Sequence, residues 1–228
     1  MTFGDKKIIK DLSFTVKQGE IFGLLGSNGC GKTTTVRTLL GLYQPTGGEL
    51  LVDGQKFTPS RDTVVGYLPE ERGLYMKETV IDVMTYFGYL KGLRDPKAWS
   101  LKYLKRVDLG DSATKQIGKL SSGMQQKVQL GLTLMGNPKL LILDEPTKGF
   151  DPVNRKLLMN IIAELHGQGS AIIMITHYME EVERLCDRAI LLKNGIARAY
   201  GKISDIKKEF GGKSLDEIFV SIYGEKDV

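Results

Sequence analysis

The sequence predicts an α/β fold with a mainly parallel core sheet, an antiparallel β-subdomain and an inserted helical subdomain. Three observations lead there. Residues 20–25, 140–143 and 171–175 hold short apolar runs, the pattern of parallel strands covered on both faces. Segments with helical spacing alternate with these runs, as in sheets built from strand–helix–strand units. From Val80 to Leu134 strand-like runs disappear and helical spacing takes over.

Each element has its own signal. Residues 20–25 enter a glycine-rich loop and read as a buried strand. After the loop Val36, Leu39 and Leu40 recur at helical spacing, and Gly41 supplies the stop. Residues 49–52 with the Asp53-Gly54 turn read as a hairpin. Residues 64–68 form a further strand, ended by Pro69. In the helical stretch the apolar positions are Val83, Phe87 and Leu90, then Leu101 and Leu104, then Val128, Leu130, Leu132 and Leu134. Asp151-Pro152 opens a later helix, with a carboxylate cap and proline at the first helical position. Leu157, Leu158, Ile161, Ile162 and Leu165 face its core side, and Gly167 ends it. Residues 189–192, the Lys193-Asn194-Gly195 turn and residues 196–200 give a second hairpin. The expected organisation is one domain, 1–228, with 1–75 and 136–228 as the core and about 76–135 as the helical subdomain.

Composition narrows the chemistry. No apolar run approaches the roughly 20 residues of a membrane-spanning helix, and the polar N-terminus lacks a signal-peptide pattern. A cytosolic protein is expected, with any membrane role exerted through a partner. The net charge of +5 comes from basic residues scattered among acids, which reads as a solvated surface. Cys30 and Cys186 are the two cysteines and show no metal-ligand spacing, and two histidines are too few for a zinc cluster. The search therefore turns to phosphates and carboxylates.

Gly26-Ser27-Asn28-Gly29-Cys30-Gly31-Lys32-Thr33 fits the phosphate-loop pattern GxxxxGK[ST], set between a strand and a helix. Glycines let consecutive backbone N–H groups curl around a phosphate chain, and the helix N-terminus adds donors and a favourable dipole. Lys32 is expected on the β- and γ-phosphates, the Thr33 hydroxyl on Mg²⁺, and Thr34 within the ATP-binding set. Cys30 reads as a small space-filler within the loop. The strand at 140–143 ends in Asp144 and Glu145, at the tip where open α/β sheets bind ligands. Asp144 suits Mg²⁺, and Glu145 suits the general base that polarises an attacking water.

With these parts in place, the sequence resembles the ABC ATPase family over nearly its whole length, the two motifs above matching the family's Walker A and Walker B. Leu120-Ser121-Ser122-Gly123-Met124 is similar to the signature LSGGQ and leads into a helical pattern over 125–134. The resemblance implies that Ser121 and Gly123 close over the γ-phosphate held by a second ATPase domain, so that two ATP molecules are sandwiched between domains. It implies that Asp151, in Lys148-Gly149-Phe150-Asp151, is the D-loop carboxylate. His177 matches the switch histidine at the γ-phosphate, and Phe3 the aromatic that stacks on adenine. The chain starts close to Phe3, where family members usually carry a further strand upstream, so a shortened or late-assigned start is an expectation.

The departures are specific. Glu70 stands where the family usually has the Q-loop glutamine; it keeps an oxygen for Mg²⁺ and loses the amide donor. Ser122 replaces a glycine and Met124 a glutamine in the signature, and neither removes the Ser121 hydroxyl. The run YLPEERGLY at 67–75 and GGKSLDEIF at 211–219 resemble a bacterial exporter branch that includes sodium-extrusion and multidrug-type ATPases. The implied partners are an integral-membrane transporter subunit and a second ATPase domain, with the chain peripheral on the inner face of the cell membrane. Tyr75, Met76, Tyr86, Phe87 and Tyr89 are candidates for the contact with that subunit, although at least half of them are expected in the core of the helical segment. The alternative is a nucleic-acid-linked ABC ATPase. The stretch between Lys32 and Leu120 lacks sustained heptads and the chain carries one ATPase domain, so no nucleic-acid partner is expected.

Overall fold

A computed structural model describes residues 1–52, 54–56, 65–71 and 73–224. The expectations at Asp53 and Val64 lie outside the described residues. The chain divides into two compact units, Met1–Thr63 with Gly169–Val228, and Val64–Gln168. The first begins with β1 (Thr2–Phe3), β2 (Lys6–Lys7), β3 (Ile21–Leu25), α1 (Lys32–Leu39), β4 (Leu51–Val52) and β5 (Gln55–Lys56). The second holds β6 (Val65–Leu68), α2 (Val80–Leu90), α3 (Pro96–Arg106), α4 (Ser122–Leu134), β7 (Leu140–Asp144) and α5 (Pro152–Gly167). The chain then re-enters the first unit with β8 (Ala171–Ile175), α6 (Met179–Leu185), β9 (Arg188–Lys193), β10 (Ile196–Lys202), α7 (Ile203–Glu209) and α8 (Leu215–Tyr223).

In the first unit the strands run in the order β10–β9–β3–β8. β3 is parallel to both neighbours, with Gly23 opposite Met174 on β8 and opposite Ala189 on β9. Every residue of β3 is buried, which explains its unbroken apolar run. Each fully buried Leu, Ile or Phe here contributes about 1.5–3 kcal/mol of transfer free energy. Glu20, buried at the foot of β3, is matched by Arg188 at 3.2 Å and accepts from the Lys17 N–H at 2.6 Å. β10 pairs antiparallel with β9 and runs on to Lys202, past the expected end at Tyr200. The short antiparallel pair β4–β5 replaces the longer hairpin arm expected from residue 49.

In the second unit β6 and β7 are parallel, from Val65 opposite Leu140 to Leu68 opposite Leu143. Helices α2, α3 and α4 fill the stretch where helical spacing dominates. Two lysines are spent inside this layer. Lys127 is buried and donates to the Val107 carbonyl at 2.9 Å, and Lys91 donates to that of Leu132 at 2.6 Å. Burial lowers the pKa of Lys91. Val83, Leu104, Val128, Leu130 and Leu134 are core, whereas Leu90 and Leu101 are exposed at the edges of their helix faces. Tyr75, Met76, Tyr86 and Tyr89 are also exposed, which corrects the expectation that at least half of the aromatic set packs inside. No described helix is long and apolar enough to cross a membrane.

Candidate nucleotide site

The phosphate-loop pattern sits where β3 ends and α1 begins. A Cβ at Gly26 would lie 2.4 Å from Cys30 Sγ and 2.5 Å from the Leu192 carbonyl oxygen, so only glycine fits. Cys30 is buried and fills that space, in keeping with its reading as a filler. Burial also pushes its thiol pKa up. Gly31 is the N-cap of α1, with φ +115°, and so offers no side chain to the first-turn N–H groups. That turn carries no acidic residue either. Uncapped donors and an unopposed helix dipole suit an anion. Lys32 Nζ donates to the carbonyls of Gly26 at 2.6 Å and Ser27 at 3.0 Å, folded over the loop it belongs to. Asn28, Gly29 and Thr33 are exposed, and Ser27 and Thr34 half-buried.

His177 follows β8 and the buried Thr176. Because β8 is parallel to β3, its C-terminal end lies at the same end of the ladder as the loop. The His177 ring lies tilted against the Tyr178 ring at 4.2 Å, and the Tyr178 N–H donates to the Thr176 hydroxyl at 3.1 Å. Phe3 lies in β1, opposite Lys6, and is exposed. Tyr43 meets it edge-on at 5.2 Å, and Arg37, in the last turn of α1, donates to the Tyr43 hydroxyl at 2.9 Å. Sequence reasoning missed Tyr43, because it follows the helix stop in a loop without a motif.

The second unit carries the carboxylates. Asp144 closes β7 and Glu145 follows it, both buried. Glu145 has φ +49°, a left-handed conformation that an L-residue adopts at a cost of about 1–2 kcal/mol. Such strain clusters at functional sites. Glu70 lies two residues beyond Leu68, as Glu145 lies two beyond Leu143, so both carboxylates emerge from the same end of a parallel pair. Glu70 Oε1 is 2.5 Å from Lys148 Nζ. The backbone on either side of Glu70 is held by α4: the Thr133 hydroxyl donates to the Tyr67 carbonyl at 3.1 Å and Gln129 Nε2 to that of Glu71 at 3.3 Å.

Ser121 caps α4, its Oγ accepting from the Met124 N–H at 3.3 Å. A Cβ at Gly123 would meet only the Phe150 ring, at an ordinary 3.7 Å, so nothing in this unit requires glycine there. Asp151 caps α5, its Oδ1 accepting from Val153 N and Asn154 N at 2.9 Å each. The hydrogen bond from the Asn154 backbone leads those that hold its carboxyl below the usual range. The sequence-selected residues thus fall into two sets: Phe3, the loop 27–34 and His177 in one unit, and Glu70, Ser121, Gly123, Asp144, Glu145 and Asp151 in the other.

The donors fit Mg²⁺ in character. Among the described residues no group of three or more His, Cys, Asp or Glu could hold a metal by itself. A hydroxyl and one or two carboxylates are what Mg²⁺ takes from protein when phosphates supply the rest.

Comparison with known proteins places this arrangement. The family model described as ABC transporter matches residues 9–148. An ABC transporter ATP-binding protein of Methanocaldococcus jannaschii is 48% identical over 206 residues, covering 90% of this chain and 75% of that protein. Nod factor export ATP-binding protein I of Rhizobium sp. (strain N33) is 38% identical over 223 residues, covering 96% and 73%. A solved structure of the ATP-binding subunit of an ABC transporter superposes with a TM-score of 0.86 at 29% identity, covering 96% of this chain and 95% of that one. With its phosphate loop, its strand-end carboxylates and its serine-capped α4, the chain belongs to the ABC transporter family as an ATP-binding subunit with ATPase activity.

Proposed function

We propose that the chain hydrolyses ATP at an interface with a second ATPase domain and so drives export through a separate membrane-spanning subunit. The backbone of residues 27–31, the first turn of α1 and Thr34 take the phosphates, and Phe3 stacks on adenine. Lys32 moves from the Gly26 and Ser27 carbonyls onto the β- and γ-phosphate oxygens. Glu145 accepts a proton from the water that attacks the γ-phosphorus, and the bond to the ADP oxygen breaks in line. Lys32 and His177 meet the charge on the transferring group. Thr33, Asp144 and Glu70 are the residues to hold Mg²⁺, which neutralises phosphate charge when bound. Within this scheme, 1–75 and 136–228 act as catalytic core and about 76–135 as the helical subdomain that presents the signature.

The observation that carries the two-domain reading is Gly123. Its own unit leaves room for a side chain there, so the glycine is explained by a close approach from outside. Ser121 and Gly123 of one domain then cap the γ-phosphate held by the other, with Asp151 reaching across. The exposed Tyr75 and Tyr86, each with its ring against Phe87, together with the exposed Met76 and Tyr89, suit the membrane subunit. That contact would hold the chain peripherally on the inner membrane face. The export direction draws support from the relative named for Nod factor export.

The test is co-purification with a membrane-spanning subunit from detergent extracts, with ATPase assayed free and bound. The expected result is a stable complex whose ATPase rate differs from that of the free chain, and which Tyr86→Ser with Tyr89→Ser weakens. A chain recovered only free, with a rate indifferent to membrane extract, contradicts the transport reading.

A further inference from the structure

We propose that Tyr223, near the end of the last described helix, is a positioning residue for the phosphate loop. α8 lies far from the loop in sequence, and the GGKSLDEIF run at 211–219 ends four residues before Tyr223. Its start is fixed by a capping box between Ser214 and Glu217, and by the Leu215 N–H donating to Glu183 Oε1 at 2.8 Å. Its end delivers Tyr223 to the back of the loop. The Tyr223 hydroxyl donates to the Leu192 carbonyl at 3.0 Å. That carbonyl oxygen lies 2.5 Å from where a Cβ on Gly26 would stand, and Tyr223 Oη itself lies 3.4 Å from the same point.

The location matters because it is where a strand becomes a loop. The β3–β9 ladder pairs residues as far as Leu25 and Leu191, and Gly26 is the next residue of β3's chain. Beyond the last pair the ladder no longer fixes the backbone, and the packing behind the loop takes over. One fixing contact is the Gly195 N–H donating to the Cys30 carbonyl at 3.0 Å. Tyr223 supplies another, orienting the Leu192 peptide against which Gly26 rests. Gly26 O is in turn one of the two carbonyls that hold Lys32 Nζ. Burial, with Cys30 nearby, pushes the phenol pKa above its ordinary value, so the hydroxyl keeps the proton it donates. The ring itself is anchored by Phe219, 4.1 Å away.

The inference rests on the reading that this loop holds the phosphates of ATP. In the full chain, Tyr223→Phe removes the hydroxyl and keeps the ring. Ile218→Val trims a buried side chain of the same helix and serves as the control for stability alone. Affinity for a fluorescent ATP analogue, KM, kcat and the melting temperature are measured for both. The expected result is a three- to tenfold weaker affinity and higher KM for Tyr223→Phe, about the size of one net hydrogen bond, with kcat at saturation unchanged. Ile218→Val should melt at least as low and bind as wild type. Wild-type affinity in Tyr223→Phe, or an equal loss in Ile218→Val, overturns the proposal. Failure of the underlying phosphate-loop reading would appear separately, as wild-type affinity in Lys32→Ala.

Discussion

Lys148 Nζ stands 2.5 Å from Glu70 Oε1, setting a cation against the carboxylate expected from the sequence at the Q-loop glutamine position. The two residues lie 78 positions apart, one beyond β6 and the other beyond β7. The extra negative charge brought by Glu70 is thus answered within the same unit.

Both partners of this pair are about half exposed, so solvent screens it and its contribution to stability is about 0.2–1 kcal/mol. Lys148→Ala should lower the melting temperature by less than about 4 °C. Glu70→Gln keeps one oxygen, removes the charge and should retain ATPase activity within about fivefold, the rate equivalent of 1 kcal/mol. Thermal melts and steady-state rates check both. Complete loss of activity in Glu70→Gln would mean that the carboxylate charge itself is required.

Lys32→Ala should weaken nucleotide binding by roughly 30-fold or more, the usual effect of deleting one partner of a buried charged contact. The folded loop should survive, because Gly26, Cys30 and Leu192 still pack behind it. Titration with a fluorescent ATP analogue and a melt of the free protein separate the two effects.

Ser121 caps α4, and substitutions can split that role from the γ-phosphate contact proposed for it. Ser121→Ala removes a 3.3 Å cap on α4 and should cost about 0.5–1 kcal/mol of stability, the low end for such caps. Ser121→Arg should leave ATP binding by the single chain within about twofold, because α1 and its loop are untouched. It should abolish ATP-dependent association, read by light scattering.

The Glu183 carboxyl is held below its usual pKa, first by the Leu215 N–H and then by Lys207. A carboxylate depressed in the folded state stabilises above its unfolded pKa, and that stability is lost as pH falls through the folded one. The melting-temperature gap between wild type and Glu183→Gln should therefore be full at pH 7 and shrink as pH drops below about 4.5. A gap that stays constant down to pH 3 would remove this contact from the acid response.

The strands that place the site were legible because burial on both faces writes a continuous apolar run, as at Ile21–Leu25 and Leu140–Asp144. The loop between β3 and α1 was legible because phosphate geometry constrains glycine and lysine spacing locally. α6 and α7 were not: each has only seven residues, with Met179, Glu181 and Val182 buried in one and Ile206 in the other, too little for a period to show. Long-range pairings left no local mark either. Tyr43 against Phe3, Lys148 against Glu70 and Tyr223 against Leu192 each depend on how distant segments meet. The left-handed backbone at Glu145 was equally silent, because the residue type gives no hint of a positive φ.

The measurement closest to the central claim is the mass in solution of the Glu145→Gln chain with ATP and Mg²⁺, followed by size-exclusion chromatography with light scattering. If Glu145 accepts the proton as proposed, its removal should leave binding intact and trap a dimer holding two ATP molecules, while turnover falls by at least about 100-fold. A variant that stays monomeric when saturated with ATP, or that hydrolyses it at the wild-type rate, would contradict the account.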